Sequence, residues 1–232
     1  MSNQSKLEQL NEEIIHCRKC ARLVEWREEV ARVKRKAYID QEYWGKPVPG
    51  FGDPNARVVV VGLAPGAHGS NRTGRNFTGD ASGAFLYPAL YRAGFANQPS
   101  ALSRDDGLVL KDLYITASGR CAPPANKPSP EELNNCQPFL ERDLEILKPK
   151  VIVCLGKIAF ERILKIYSLT PALSQNGRGR TAWKFGHGAL SQMESGMWIL
   201  CSYHPSQQNT LTGKLTAKMF DEIWEKAKSL SK

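Results

Sequence analysis

Apolar and polar positions fall in alternating blocks along this chain. Four short runs are apolar at consecutive positions and rich in β-branched residues: RVVVVG (57–62), LYITAS (113–118), KVIVCL (150–155) and MWILCSY (197–203). Continuous apolarity over so few residues reads as a strand buried on both faces. The stretches between them carry helical spacing: Asp80 to about Ala93, Ser129 to about Leu147, 157–168, and a last amphipathic segment at about 215–230. Ser129-Pro130-Glu131-Glu132 supplies an N-cap serine, proline at the first helical position and glutamate at the third. Pro138 marks an expected kink inside that helix. Residues 5–36 read as helical with an interruption near Cys17 and Cys20, 37–56 as a loop rich in Gly and Pro, and 169–192 as irregular. No internal repeat or low-complexity tract is present. Strands separated by helices imply an α/β fold, a parallel sheet covered on both faces. The expectation is one domain over 1–232, with a helical and loop prologue (1–56) and an α/β body (57–232).

In such folds ligands bind beyond the carboxyl ends of the strands. Three of the four strands run there into polar loops rich in Gly and Pro: GLAPGAHGSNRTGRNFTGD, GRCAPPANKPS and HPSQQNT. The first is neither G-x4-G-K-[ST] nor G-x-G-x-x-G, which argues against a nucleoside triphosphatase.

Composition narrows the class. Apolar residues make up 41%, which supports a core and excludes a disordered chain. The longest apolar stretch, Val58 to Ala67, is already broken by Gly62, Pro65 and Gly66, so no membrane span is expected. Met1 to Gln9 is polar and has no secretory signature. The expected location is the cytoplasm. Thirty-two Lys and Arg against 23 Asp and Glu leave a net charge of +9. Acids are excluded from the loops where a site would be built. Asp80 is the single carboxylate between Asp53 and Asp105, and Glu194 the single one between Glu161 and Asp221. Arg72 and Arg75 stand close before Asp80. This distribution fits a polyanionic partner and favours nucleic acid. The stretch from Arg18 to Lys36 carries eight basic residues against three Glu, and reads equally as a solvated helix face or as part of that surface. Asp80, between a loop and a helix, suits both N-capping and catalysis.

Six cysteines in a chain of this size and location do not form a disulfide framework. Cys154 and Cys201 lie in apolar strands and read as small buried side chains. Cys17 and Cys20 form a C-x2-C pair, and Cys121 and Cys136 a C-x14-C pair. If the prologue packs beside the loop after the second strand, four thiolates converge on a zinc ion or an iron–sulfur cluster, and spacing does not choose between them. Of the four histidines, His204 ends a strand and faces the strand-end crevice, where it is a candidate acid, base or oxyanion donor. His68 lies in the Gly-rich loop. His16 reads as helix surface, and His187 carries no signal.

The combination of GLAPG after the first strand, a C-x2-C prologue and HPS after the last strand resembles the uracil-DNA glycosylase superfamily. GLAPGAHGSNRTGRNFTGDASGAFL with SYHPSQQNT looks like its type 5 group, which is prokaryotic. The resemblance runs from about Cys17 to the final helix. It implies a three-layer α/β/α sandwich with a four-stranded parallel sheet, and a 4Fe–4S cluster on Cys17, Cys20, Cys121 and Cys136 that ties down the prologue. It also implies a monofunctional base-excision repair enzyme. Such an enzyme hydrolyses the N-glycosidic bond of uracil and other deaminated or 5-substituted bases in DNA, and acts as a monomer.

The chain departs from the G-Q-D-P-Y-H motif of the first-described members. Here the stretch is Gly62-Leu63-Ala64-Pro65-Gly66-Ala67. Ala64 stands where those enzymes have the water-activating Asp, and Gly66 where they have the Tyr that walls off C5 of the base. Asp80 is the natural substitute for the acid. A base inside a duplex must be flipped out before its bond can be reached. Gly62, Leu63, Ala64, Phe77 and Asn126 are then the expected base-binding residues. Phe77, between polar neighbours, is expected to stay accessible and to stack. Its neighbouring arginines are expected to keep Asp80 ionised. His204 is expected to donate to the leaving base. Ser206, Gln207 and Asn209 are expected to grip the DNA backbone, and Leu211 to wedge into the vacated stack. Two other classes remain on sequence grounds. A non-catalytic iron–sulfur module that binds nucleic acid needs the cysteines and basic surface but neither Asp80 nor His204. A hydrolase of free nucleosides needs no affinity for DNA.

Overall fold

The computed structural model describes residues 1–168 and 183–232. Within these, six strands form one sheet: β1 (Phe51–Gly52), β2 (Val58–Gly62), β3 (Leu113–Ala117), β4 (Val151–Leu155), β5 (Leu190–Gln192) and β6 (Trp198–Ser202), in the order β1-β3-β2-β4-β6-β5. The four apolar runs are the central strands and are parallel to one another. β1 and β5 pair antiparallel at the two edges. The sheet is therefore mixed and six-stranded rather than four-stranded. Two- and three-residue strands carry no readable periodicity. Phe51-Gly52 was read as prologue loop, and 190–192 as irregular; pairing with an otherwise open edge recruits both. Of the rest of the stretch read as irregular, 183–189 is loop and 169–182 lies outside the described residues.

Eight α-helices are described: α1 (Asn3–Ile15), α2 (Ala21–Val33), α3 (Ser70–Thr73), α4 (Ala81–Arg92), α5 (Pro130–Leu147), α6 (Lys157–Ser168), α7 (Gln207–Leu211) and α8 (Ala217–Leu230). Strand residues alternate between two cores. Val58, Val60, Ile115, Val153 and Leu200 pack with Leu86 and Leu90 of α4 and Phe220 and Trp224 of α8. Val59, Val61, Ile152, Cys154 and Cys201 pack with Leu140 and Leu144 of α5 and Phe160 and Ile163 of α6. The result is a three-layer α/β/α sandwich, and burial on both faces explains why these runs are apolar throughout. Each such side chain contributes about 1.5–3 kcal/mol by leaving water.

The capping box at the start of α5 forms as its sequence predicts: Ser129 Oγ accepts from the Glu132 amide at 3.2 Å, and Glu132 Oε2 accepts from the Ser129 amide at 2.7 Å. α5 continues through Pro138. In the prologue, Leu10 and Ile14 of α1 pack on Phe139 of α5. Glu13 pairs with Arg142, and Arg22 of α2 reaches Glu132 at 2.7 Å. The basic stretch is thus largely tied up within the protein, with Arg18 on Glu28, Arg32 on Glu29 and Arg27 buried. Among the described residues no helix is long and apolar enough to cross a membrane.

Candidate active site

A cavity of about 850 Å³ opens at the carboxyl ends of β2, β3 and β6. It brings together Gly62, Leu63, Ala64, Phe77, Asp80 and Asn126. From the loop after β6 it adds His204, Ser206 and Gln207. Gly62 and Gln207, 145 positions apart in sequence, therefore line one cavity, because parallel strands deliver their exit loops to the same end of the sheet. A second depression, lined by Lys148, Lys150 and Trp198 among others, lies at the opposite end of the strands and gathers none of the candidate residues.

Phe77 is where expectation and structure part. It is buried, with 8% of its surface exposed, and belongs to the core on the α4 and α8 face. Its ring lies on the backbone of Gly62, so close that a Cβ there would be 2.9 Å from Phe77 Cζ. The loop closes over it because the Asn76 amide bonds the Pro49 carbonyl at 2.8 Å and Ser70 Oγ accepts from the Phe77 amide at 3.1 Å. Phe77 holds a left-handed backbone, φ 53°, a conformation costing a bulky residue about 1–2 kcal/mol. The 5.9 Å between its ring centre and that of His204, and the 34° between their planes, show how closely the two line the same wall.

Asp80 is the N-cap of α4: its Oδ1 accepts from the Gly83 amide at 2.9 Å. Burial raises its pKa above the ordinary carboxylate value, opposed by the Gly83 and Ser82 amides and by Arg72. The direction is the reverse of the one expected from its arginine neighbours, because desolvation outweighs them. Those arginines face inward. Arg72 is buried and donates to the His68 and Gly79 carbonyls, both at 2.8 Å, and to Gln41 Oε1. Arg75 is buried on Asp106, with both contacts at 2.8 Å. They brace the loop rather than offer a basic surface.

His204 follows β6. Burial alone drives its pKa down to about 4, so its ring is neutral at neutral pH. Its carbonyl accepts from Asn209 Nδ2 at 2.8 Å, and Ser206 caps the short α7. Ser206 and Asn209 thereby anchor the loop that carries His204. Asn209 and Leu211 do not line the cavity, and Leu211 is 82% exposed. Asn126 sits in a tight turn, Pro124–Asn126, in which Ala125 and Asn126 are both left-handed (φ 52° and 56°). Such strain persists where a surrounding structure imposes it. The Asn126 side chain is exposed and makes no hydrogen bond among the described residues.

Cys17, Cys20, Cys121 and Cys136 line one small cavity between the α1–α2 link, the loop after β3 and α5. No group of three His, Cys, Asp or Glu among the described residues is arranged to hold a single metal ion. The surroundings nevertheless suit a larger anionic group. Nε and Nη1 of both Arg27 and Arg120 are buried without a partner. Arg120 lines the cavity, and Arg27 donates to the Cys17 carbonyl at 3.5 Å. Asn135 Nδ2 lies 3.4 Å from Cys20 Sγ. Burial pushes the Cys121 thiol up to about 12, with Arg27 acting against it. Cys154 and Cys201, 0% and 1% exposed, face each other across β4 and β6 as core residues.

Sequence reasoning missed Arg35 and Tyr38, which follow α2 and line the cavity, and Tyr43, which bonds His68. They lie in stretches read as basic helix and loop. No local pattern distinguishes them, since only the packing of the prologue brings them to the strand ends.

The sandwich with a polar cavity at the carboxyl ends of its strands defines an α/β class whose ligand site is built from strand-end loops. The family model described as "Uracil DNA glycosylase superfamily" matches residues 49–228, and the chain belongs to that family. Within it, the chain is similar to proteins named Type-5 uracil-DNA glycosylase. That of Thermus thermophilus is 52% identical over 216 residues, covering 93% of this chain and 94% of the relative. That of Mycobacterium leprae is 48% identical over 225 residues, covering 96% and 95%. That of Pyrobaculum aerophilum is 44% identical over 214 residues, covering 92% and 88%.

Proposed function

We propose that this chain is a DNA-repair glycosylase that hydrolyses the bond between uracil and deoxyribose in DNA, acting as a monomer on a flipped-out nucleotide. The observation that carries this reading is the meeting of Asp80, neutral His204, the free Asn126 amide and the Phe77 ring in one strand-end cavity. The relatives named Type-5 uracil-DNA glycosylase support the substrate.

The base enters against the Phe77 ring and the backbone of Gly62, Leu63 and Ala64. Asn126 reads its polar edge, offering both donor and acceptor. As the C1′–N1 bond lengthens, negative charge grows on the base and positive charge on the sugar. Neutral His204 donates a ring N–H to the developing anion. Asp80 faces the cationic sugar, orients a water and takes its proton as the water oxygen bonds C1′. Ser206 and Asn209 hold the His204 loop in shape, Gln207 meets the DNA backbone, and exposed Leu211 fills the stack left by the base. With Gly66 in place of a bulky wall, 5-substituted uracils and other deaminated bases are accepted as well.

Cys17, Cys20, Cys121 and Cys136 would hold a 4Fe–4S cluster, with the unpartnered Nε and Nη1 of Arg27 and Arg120 as nearby N–H donors; the Arg120 charge itself is paired with buried Asp143. Such a cluster supplies a cross-link between prologue and body, and the hydrolysis is carried by the residues above.

The test is base release from a uracil-containing oligonucleotide, with free deoxyuridine as comparison. Release from DNA but not from deoxyuridine is expected. Binding to DNA without release would leave a non-catalytic module, and equal release from both would indicate a nucleoside hydrolase.

A further inference from the structure

The loop after β2 brings a second histidine, His68, to the cavity, and the prologue sets its orientation. The Tyr43 hydroxyl accepts the Arg35 backbone amide at 3.4 Å and lies 3.1 Å from His68 Nδ1. Among the described residues no other acceptor is bonded to that hydroxyl, so its proton goes to Nδ1. A ring that accepts at Nδ1 carries its own hydrogen on Nε2. The rings meet edge-on, with centres 6.1 Å apart, and Tyr43 is buried. His68 is further pinned through its carbonyl, which takes Arg72 Nε at 2.8 Å. Burial, Arg35 and Arg72 all lower its pKa, so the ring stays neutral. Nε2–H is left on the cavity wall without a partner among the described residues.

Arg35 stands beside it. Its side chain is exposed, lines the same cavity, and makes no ion pair among the described residues. A free guanidinium next to a fixed neutral donor is a site for an anionic oxygen. No carboxylate among the described residues answers it.

We propose that His68, from the loop after β2, and Arg35, from the prologue, form a phosphate clamp that grips a backbone phosphate flanking the flipped nucleotide, with Tyr43 of the prologue fixing His68 as an Nε2–H donor. This rests on the reading of the cavity as a DNA glycosylase site. The clamp gives the prologue a part in substrate binding that is separate from the four-cysteine cavity. It also complements the α7 loop, where Ser206 and Asn209 are spent on internal bonds.

The experiment uses the full chain and a duplex carrying a tetrahydrofuran abasic-site analogue. Affinity is measured across a salt series, and then again with a neutral methylphosphonate at each linkage flanking the analogue. His68→Ala is expected to weaken binding by about tenfold, the size of one hydrogen bond to a charged group. Single-turnover uracil release at saturating DNA should stay within a few-fold of wild type. One methylphosphonate linkage should abolish the difference between His68→Ala and wild type. Arg35→Ala should lower the slope of log affinity against log salt by about 0.9, one phosphate's worth. Tyr43→Phe should weaken binding less than His68→Ala, and His68→Gln, which restores an N–H donor, should recover part of the loss. The proposal is overturned if His68→Ala slows release at saturation without changing affinity, or if its affinity loss persists with every neutral linkage. Those outcomes would assign the residue to chemistry or to loop structure. Failure of the wild-type protein to release uracil would instead sink the glycosylase reading itself.

Discussion

Oδ2 of Asp80 rests over the Cα of Gly69: a Cβ at residue 69 would lie 2.0 Å from it. The other oxygen is held by the Gly83 amide. The carboxylate is thus fixed between a helix N-terminus and a residue without a side chain. Gly69→Ala would push Oδ2 away from its position. Because an ångström of misplacement can cost about 10²-fold in rate, single-turnover base release should drop on that scale. DNA affinity should change little.

Asp80→Asn separates capping from catalysis. Asparagine caps a helix about as well as aspartate, so melting temperature should hardly move. If the charge orients water and faces the cation, base release should fall by about 10²–10⁴-fold. A rate within a few-fold of wild type would leave Asp80 as a cap only. Because burial raises the pKa of this carboxyl, the acid limb of the rate profile should lie above the ordinary aspartate range. Activity is lost as pH falls through it.

His204 gives a stability signal with a definite sign. Its folded pKa of about 4 lies below the unfolded value of about 6.5. Below about pH 6.5 the unfolded chain takes up a proton that the folded protein refuses. Stability linked to this residue is therefore present above that value and is lost as pH falls toward 4, by about 3 kcal/mol in total. Comparing denaturation of wild type and His204→Asn between pH 7 and 4 isolates the effect. The variant should lose less stability over that window, and parallel curves would contradict a desolvated neutral ring.

The cysteines divide into two kinds. Purified protein should carry iron and sulfide in equal amounts, and Cys17→Ser or Cys121→Ser should lose iron and lower the melting temperature. Cys154→Ala should keep full iron and cost about 1 kcal/mol of packing. Elemental analysis with one zinc per chain and no iron would overturn the cluster.

Gly66 faces the cavity, and a Cβ there would meet Asp80 Oδ2 at 3.4 Å, ordinary contact. Gly66→Tyr should therefore wall the cavity without dislodging Asp80. Release of 5-hydroxymethyluracil should be lost before release of uracil, measured on matched oligonucleotides. Equal loss of both would mean that the loop is disrupted.

The sequence by itself determined the parts whose signals are local. Four continuous apolar runs set the central strands, because a strand buried on both faces has no polar position to alternate with. Ser129 and Glu132 set the start of α5, and Asp80 the start of α4, because a cap depends on residues three apart. The loops after β2, β3 and β6 were legible as one site because parallel strands end together. Only the tertiary structure decided which way side chains face. Phe77 looked accessible among polar neighbours and is buried against Gly62. Arg72 and Arg75 looked like a basic surface and brace the loop from inside. The direction of the Asp80 pKa shift turned on desolvation, which no sequence window contains. The edge strands β1 and β5 exist because open sheet edges recruit them, and Tyr43, His68 and Arg35 meet only because the prologue folds back onto the strand ends. Burial and long-range pairing depend on what the rest of the chain places nearby, and that is set by the fold as a whole.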